Sequence, residues 1–117
     1  MGTSLKEHRL RMYLAWTTVA DRADAERLAK AAVAQNLAVC VQIEGPITSH
    51  YRWHGQDERS EEFRLTFKCL APRLDALQNY ILSTHPYDTP EWLVVGAERV
   101  GEKYLSWAEA NSSTPPL

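Results

Sequence analysis

Residues 47–69 read ITSHYRWHGQDERSEEFRLTFKC. From Ile47 to His54 the stretch alternates cleanly. Ile47, Ser49, Tyr51 and Trp53 take one parity; Thr48, His50, Arg52 and His54 take the other. A period of two is the mark of a strand. Gly55-Gln56-Asp57-Glu58 then reads as a turn. Alternation resumes with Glu62, Arg64, Thr66 and Lys68 against Phe63, Leu65, Phe67 and Cys69. Two such runs about a short turn form an antiparallel hairpin. This one is longer than its neighbouring helices need.

The elements on either side follow from this hairpin. Upstream, Ala38-Val39-Cys40-Val41-Gln42-Ile43 is almost continuously apolar, the pattern of a central strand, and Gly45-Pro46 is expected to end it. Before that, Ala25, Leu28, Ala29, Ala32 and Val33 recur at helical spacing, with Asp21 as N-cap and Asn36 as the stop. Leu10 to Thr18 precedes this helix as a strand rich in aromatic and β-branched residues. Downstream, Pro72 opens a helix whose inner side is Leu74, Leu77, Gln78 and Ile81. It ends before His85-Pro86, because a residue ahead of proline avoids the helical region. Trp92 to Val95 is a fourth strand. Glu102 to Ala110 is a last helix, with Tyr104, Leu105, Trp107 and Ala108 on its apolar side.

The order β-α-β-β-α-β plus a terminal helix gives an α+β fold, a ferredoxin-like split β-α-β sandwich with an antiparallel sheet. Both main helices then lie on one face. The other face is open, yet the strands carry large apolar groups on both sides. Either further copies of the chain cover it, through that face and the long hairpin, or the terminal helix covers it alone.

The chain has 117 residues, enough for one domain. That domain is expected over residues 10–110, between a flexible N-terminus at 1–9 and a flexible tail at 111–117. With 13 basic and 15 acidic side chains the net charge is −2, which argues against a nucleic-acid coating surface. The apolar runs are too short to span a bilayer, and the first residues do not read as a signal peptide. Two cysteines, Cys40 and Cys69, make no disulfide framework and fit a reduced, cytoplasmic setting. Four Trp and five Tyr are many for so small a core, so some of these rings await a partner surface.

Two runs carry a family resemblance. Ser49-His50-Tyr51-Arg52-Trp53-His54-Gly55 and His85-Pro86-Tyr87-Asp88-Thr89-Pro90-Glu91 resemble motifs of the CutA divalent-cation tolerance proteins. So do Ala38 to Ile43, Glu61, Lys68 and Tyr104-Leu105-Ser106-Trp107. The resemblance runs from about Leu10 to Ala110. It implies a ferredoxin-like subunit in a tight homotrimer, with long hairpins extending the sheets between neighbours, similar to the P-II signalling proteins. It also implies tolerance to copper and other divalent cations. Gln42, Asp88 and Trp92 depart from the commonest family pattern; the first two keep an amide and a carboxylate.

The candidate chemistry is sparse. Cys40 is a soft donor suited to copper or zinc, and it matches the family cysteine. As a small apolar residue in mid-strand it also reads as core. Cys69, on the apolar parity, reads as core filling. His85 is an imidazole donor, or a histidine that locks the Pro86 turn. Glu91 either helps to hold a cation or pairs with Lys68. His50 and His54 are about 13 Å apart at strand rise, too far to share one ion. Tyr51, Trp53, Glu61, Lys68 and Tyr87 are expected to line a pocket between subunits, or to form an aromatic interface with one ion pair. No nucleophile-base set and no phosphate-cradling glycine loop is visible, so the chain does not read as an enzyme. The expected function is a cytoplasmic homotrimer that binds copper or another divalent cation weakly, with no required cofactor. The alternative is a P-II-like signalling or small-ligand-binding trimer.

Overall fold

The structure, a computed structural model, describes residues 10–112. The N-terminus expected at 1–9, and residues 113–117 of the tail expected at 111–117, lie outside the described residues. The elements are β1 (Met12–Val19), α1 (Arg22–Ala34), β2 (Cys40–Trp53), β3 (Gln56–Leu70), α2 (Leu74–Thr84), β4 (Leu93–Gly96) and α3 (Glu102–Asn111). The strands form one sheet in the order β2-β3-β1-β4, with every pairing antiparallel. The fold is therefore α+β, as the sequence pattern requires. The last helix extends through Asn111, and Ser112, buried, takes its C-cap position, so these two residues are not part of a loose tail.

The helix-facing side of the sheet carries the core. Ala15, Val19, Leu65, Phe67 and Cys69 pack against Leu28 of α1 and Leu77 and Ile81 of α2. Ala25 and Ala32, both fully buried, give α1 a small-residue face that lies close on the strands. Asp21 takes the N-cap position of α1, although its side chain makes no cap bond. The helix ends in a Schellman arrangement: Asn36 N–H donates to the Val33 carbonyl at 3.0 Å and Leu37 N–H to that of Ala32 at 2.9 Å. Asn36 sits at φ 62°, a left-handed position that Asn tolerates.

This cap explains why the apolar run at 38–43 misleads. Leu37 and Ala38 are buried beneath the helix end, and Ala38 N–H bonds back to the Ala32 carbonyl at 3.2 Å. The strand begins only at Cys40 and lies at a sheet edge, not at its centre. The run joins a buried cap to an edge strand that α1 partly covers. Val41 and Ile43 pack toward the core, while Cys40 and Gln42 pair with Lys68 and Thr66 on the other face.

Gly45-Pro46 does not end β2. It forms a bulge in which these two residues oppose Phe63 alone, between the pairs Glu44↔Arg64 and Ile47↔Glu62. Gly45 has φ 148°, and a Cβ there would lie 2.8 Å from Phe63 Cδ1 and 2.9 Å from the Glu62 carbonyl. Only glycine fits. The bulge reverses the parity of β2. Before it, Cys40, Gln42 and Glu44 share a face with Lys68, Thr66 and Arg64; beyond it, Ile47, Ser49 and Tyr51 share that same face with Glu62, Ser60 and Glu58.

The hairpin turn falls earlier than composition suggests. His54 and Gly55, at φ 49° and 77°, make a two-residue turn between the paired Trp53 and Gln56. Tight hairpins of the primed type need positive φ at both central positions. Gln56, Asp57 and Glu58 therefore belong to β3, and His54 is a turn residue rather than part of a histidine stripe. All of residues 50–59 are exposed, so the distal hairpin is an arm. The radius of gyration is 16.2 Å, against about 13 Å for a compact domain of this size.

The face opposite α1 and α2 is covered only in part. Ala108 of α3 packs on Met12 and Leu70, joined by Leu105 and Val100. Farther along β4, Leu93 and Val95 remain 56% and 46% exposed. The terminal helix does not cover this face alone.

Candidate functional site

β4 pairs with β1 only as far as Trp16↔Leu93. Beyond that point β1 runs on, and residues 85–91 take over its free edge. Thr17 Oγ1 donates to the Glu91 carbonyl at 2.7 Å, and its oxygen lies 2.9 Å from His85 Nε2. Nε2 also lies 3.0 Å from the Thr18 carbonyl, and Tyr87 N–H donates to Nδ1 at 3.0 Å. The Thr17 proton is committed to Glu91, and the Thr18 carbonyl only accepts. The proton of His85 therefore sits on Nε2, and the ring is the neutral tautomer with both nitrogens engaged. Burial lowers the His85 pKa below its ordinary value. The Thr18 bond and the charges of Asp24 and Glu62 pull the other way, while Arg27 adds to the lowering. His85 thus fastens the Pro86 turn and fixes the start of the loop.

The loop in turn presents Tyr87. Its hydroxyl donates to Glu62 Oε2 at 2.9 Å, and Glu62 is only 8% exposed. Burial first, then the hydrogen bond and charge of Glu62, push the Tyr87 pKa up. Between this loop and the root of the arm lies an open cleft of about 700 Å³. Tyr51 and Trp53 form its arm side, Tyr87 and Asp88 its loop side, and Glu62 and Thr18 its inner end.

Of the five residues expected to share a pocket, Tyr51, Trp53, Glu61 and Tyr87 line this cleft. Glu61 is also tied to Thr48 at 3.3 Å and Arg59 at 3.2 Å. Lys68 lies elsewhere, on the open sheet face, with its Nζ 5.5 Å from the centre of the Tyr104 ring. It therefore does not pair with Glu91, which lines the cleft. Cys40 is half-buried opposite Lys68 on edge strand β2, whereas His85 lies beyond the outer edge of β1. With β3 and β1 between them, and an offset of three to four residues along the strands, the separation exceeds about 14 Å at ordinary strand spacing. One protomer therefore does not bring Cys40, His85 and Glu91 to a single ion. Among the described residues no three His, Cys, Asp or Glu side chains are grouped to hold a metal. Burial pushes the Cys69 thiol up to about 11, in keeping with core filling.

Glu62 is the residue that pattern reasoning passed over, because it alternates with Phe63 like any outward strand residue. The signal lay in Gly45-Pro46. Read as a bulge, that pair sets Ile47 opposite Glu62 and puts Ser49 and Tyr51 on the same face as that carboxyl.

With the geometry in hand, comparison with known proteins is decisive. The family model of the CutA1 divalent ion tolerance protein matches residues 13–111. The chain belongs to the CutA1 divalent ion tolerance family. The divalent-cation tolerance protein CutA of Yersinia pestis (strain Pestoides F) is 39% identical over 94 residues, spanning 80% of this chain and 79% of that protein. CutA from Synechococcus elongatus PCC7942 superposes with a TM-score of 0.84 at 41% identity, covering 88% of this chain and 91% of that one. CutA1 from Oryza sativa gives 0.85 at 29% identity, with 92% and 98% covered. A further relative, from Archaeoglobus fulgidus, is described as a periplasmic divalent cation tolerance protein. Among the described residues of this chain no helix is long and apolar enough to cross a membrane.

Proposed function

We propose that the chain is a ferredoxin-like subunit of a non-enzymatic homotrimer that serves divalent-cation tolerance in the cytoplasm. In this reading it binds copper or another divalent cation weakly at sites completed between subunits. The observation that carries it is the half-covered sheet face. Leu93 and Val95 lie exposed there beside half-buried Leu14 and Trp16, and an arm with no cover from its own protomer extends from the same sheet. Three copies would cover apolar surface that one copy exposes. The strand order β2-β3-β1-β4 supports the ferredoxin-like assignment, and two free thiols support a reducing compartment.

Within one protomer the donors do not form a cation site, so a site would need donors from two chains. Cys40 is the softest of them, half-buried on the face that trimerisation would close. Asp88 and Glu91 are the carboxylates of the 85–91 loop, and both line the cleft. Calorimetric titration of the reduced protein with copper and zinc, repeated on Cys40→Ala and Glu91→Gln, tests this. Loss of binding in either variant supports the ligand; unchanged binding in both refutes the set. A P-II-like, small-ligand-binding trimer is the second reading. The aromatic cleft around Glu62 is the observation that favours it.

A further inference from the structure

We infer that the Thr17 hydroxyl and the His85 ring form a clasp that closes the 85–91 loop, and that protonation of His85 opens it. This device goes beyond cation binding and needs no metal. The clasp ties both ends of the loop to one group on β1. At the start, the His85 Nε2–H reaches Thr17 Oγ1 at 2.9 Å and the Thr18 carbonyl at 3.0 Å. At the end, the Thr17 hydroxyl donates to the Glu91 carbonyl at 2.7 Å. Thr17 is fully buried, so water does not compete for this hydroxyl. Nδ1 then accepts the Tyr87 N–H at 3.0 Å, which folds the loop back beside the ring. With both nitrogens engaged, the neutral ring has no lone pair left for an ion. All of these bonds lie within one protomer and do not depend on whether neighbouring copies cover the arm.

A second proton falls on Nδ1, because Nε2 already carries one. It turns an acceptor into a donor that faces the Tyr87 N–H, so two donors meet at hydrogen-bond distance. The Tyr87 amide loses its partner, and the imidazolium needs an acceptor or water. Both needs are met if the loop swings off β1. Around the ring, α1 contributes Asp24 and Arg27, and β3 contributes Glu62. Burial is the largest influence and opposes the charged ring, with Arg27 adding to it; Asp24 and Glu62 favour the charge. β1 presents the uncharged Thr17 and Thr18. The last residues of α2 are Leu82-Ser83-Thr84, and β4 carries no titratable side chain. The loop itself carries Tyr87, Asp88 and Glu91. The closed form therefore resists the proton, whereas an opened loop returns the ring to water and to its ordinary value of about 6.5. Acid favours the open form. Below about 6.5 opening gains up to about tenfold per pH unit, until the closed form also takes the proton.

The test is a titration of the isotope-labelled full-length protein from about pH 8 to about pH 5, in reducing buffer with a chelator. Amide proton–nitrogen correlation spectra read the loop residue by residue. The Tyr87, Asp88 and Thr89 amides are expected to shift together, with one midpoint below about 6.5. The His85 ring should titrate at that same midpoint, while the core amides of Leu65 and Phe67 stay in place. His85→Gln should abolish the step. Thr17→Val should shift the loop amides toward their acid positions already at about pH 8. Thr17→Ser keeps the hydroxyl and should restore both the closed positions and the step. Loop amides that stay in place while His85 titrates overturn the clasp. A step that persists in His85→Gln also overturns it, and would belong to His50 across the cleft. So does a Thr17→Val loop that closes as in the wild type. If Thr17→Val does not fold, the titrations of the wild type and of His85→Gln decide.

Discussion

Replacing Gly45 by Ala tests the bulge on which the site depends. Gly45 holds φ 148°, a region that L side chains rarely enter, at a cost of about 1–3 kcal/mol. The added Cβ would also lie 2.8 Å from Phe63 Cδ1 and 2.9 Å from the Glu62 carbonyl. The ring can shift, but the carbonyl belongs to the β3 backbone; such overpacking costs about 1–3 kcal/mol. One atom causes both effects and relaxation relieves both, so about 2–4 kcal/mol is expected in total. Urea unfolding followed by circular dichroism, at fixed protomer concentration, should show the midpoint falling by about 1–2 M at a typical slope. Gly55→Ala is the control. Gly55 also has positive φ, 77°, but nothing lies within 4 Å of its added Cβ. It should therefore lose only the backbone preference, about 1 kcal/mol. If the two variants lose the same stability, or Gly45→Ala loses less than about 0.5 kcal/mol, the tight bulge is not what sets the register.

Other outcomes follow from single contacts. Tyr87→Phe removes the only side-chain partner of buried Glu62 among the described residues and should cost about 1.5–3 kcal/mol, read from the same urea curves. His85 has a lowered pKa in the folded protein, so below its ordinary value of about 6.5 the unfolded chain takes the proton first. Stability should therefore be intact at pH 7.5 and fall as pH drops through 6.5 toward the lowered value; His85→Gln should flatten that fall between pH 7.5 and 5.5, and an equal slope in both proteins would refute it. Leu93→Asp places a charge on the open sheet face and should shift the protein to a smaller mass in light scattering. Burial of Cys69 within the protomer predicts that its thiol resists alkylation in the native protein and reacts only on unfolding.

The alternating stretch at 62–69 was legible because a strand half-covered on one side writes its burial as a period of two; at 47–53 the alternation is one of residue type, with 50–53 exposed on both faces. The ends of α1 and α2 were legible for a similar reason: Asn36 and His85-Pro86 act on the local backbone. What escaped were features in which two segments act together. The apolar residues at 37–41 are buried by a helix cap as well as by the sheet, so their run looked like a central strand. Gly45-Pro46 looked like a break because a bulge reveals itself only against its partner, Phe63. His54-Gly55 looked less turn-like than the polar residues after it, although paired positive φ angles decide the turn. At the candidate site, Tyr51, Trp53, Glu61 and Tyr87 were recognisable by type, while Lys68 and Glu62 exchanged roles. Lys68 went to Tyr104 across the sheet, and Glu62 to Tyr87 of the 85–91 loop.

The central claim is that one chain is an incomplete folded object, with an open apolar face and an arm that other copies cover. Sedimentation equilibrium of the full-length protein at micromolar concentration tests this most directly. The account predicts a single species of about three times the 13.3 kDa chain mass, stable to dilution. A species of 13.3 kDa at the same concentration, still folded by circular dichroism, would contradict it.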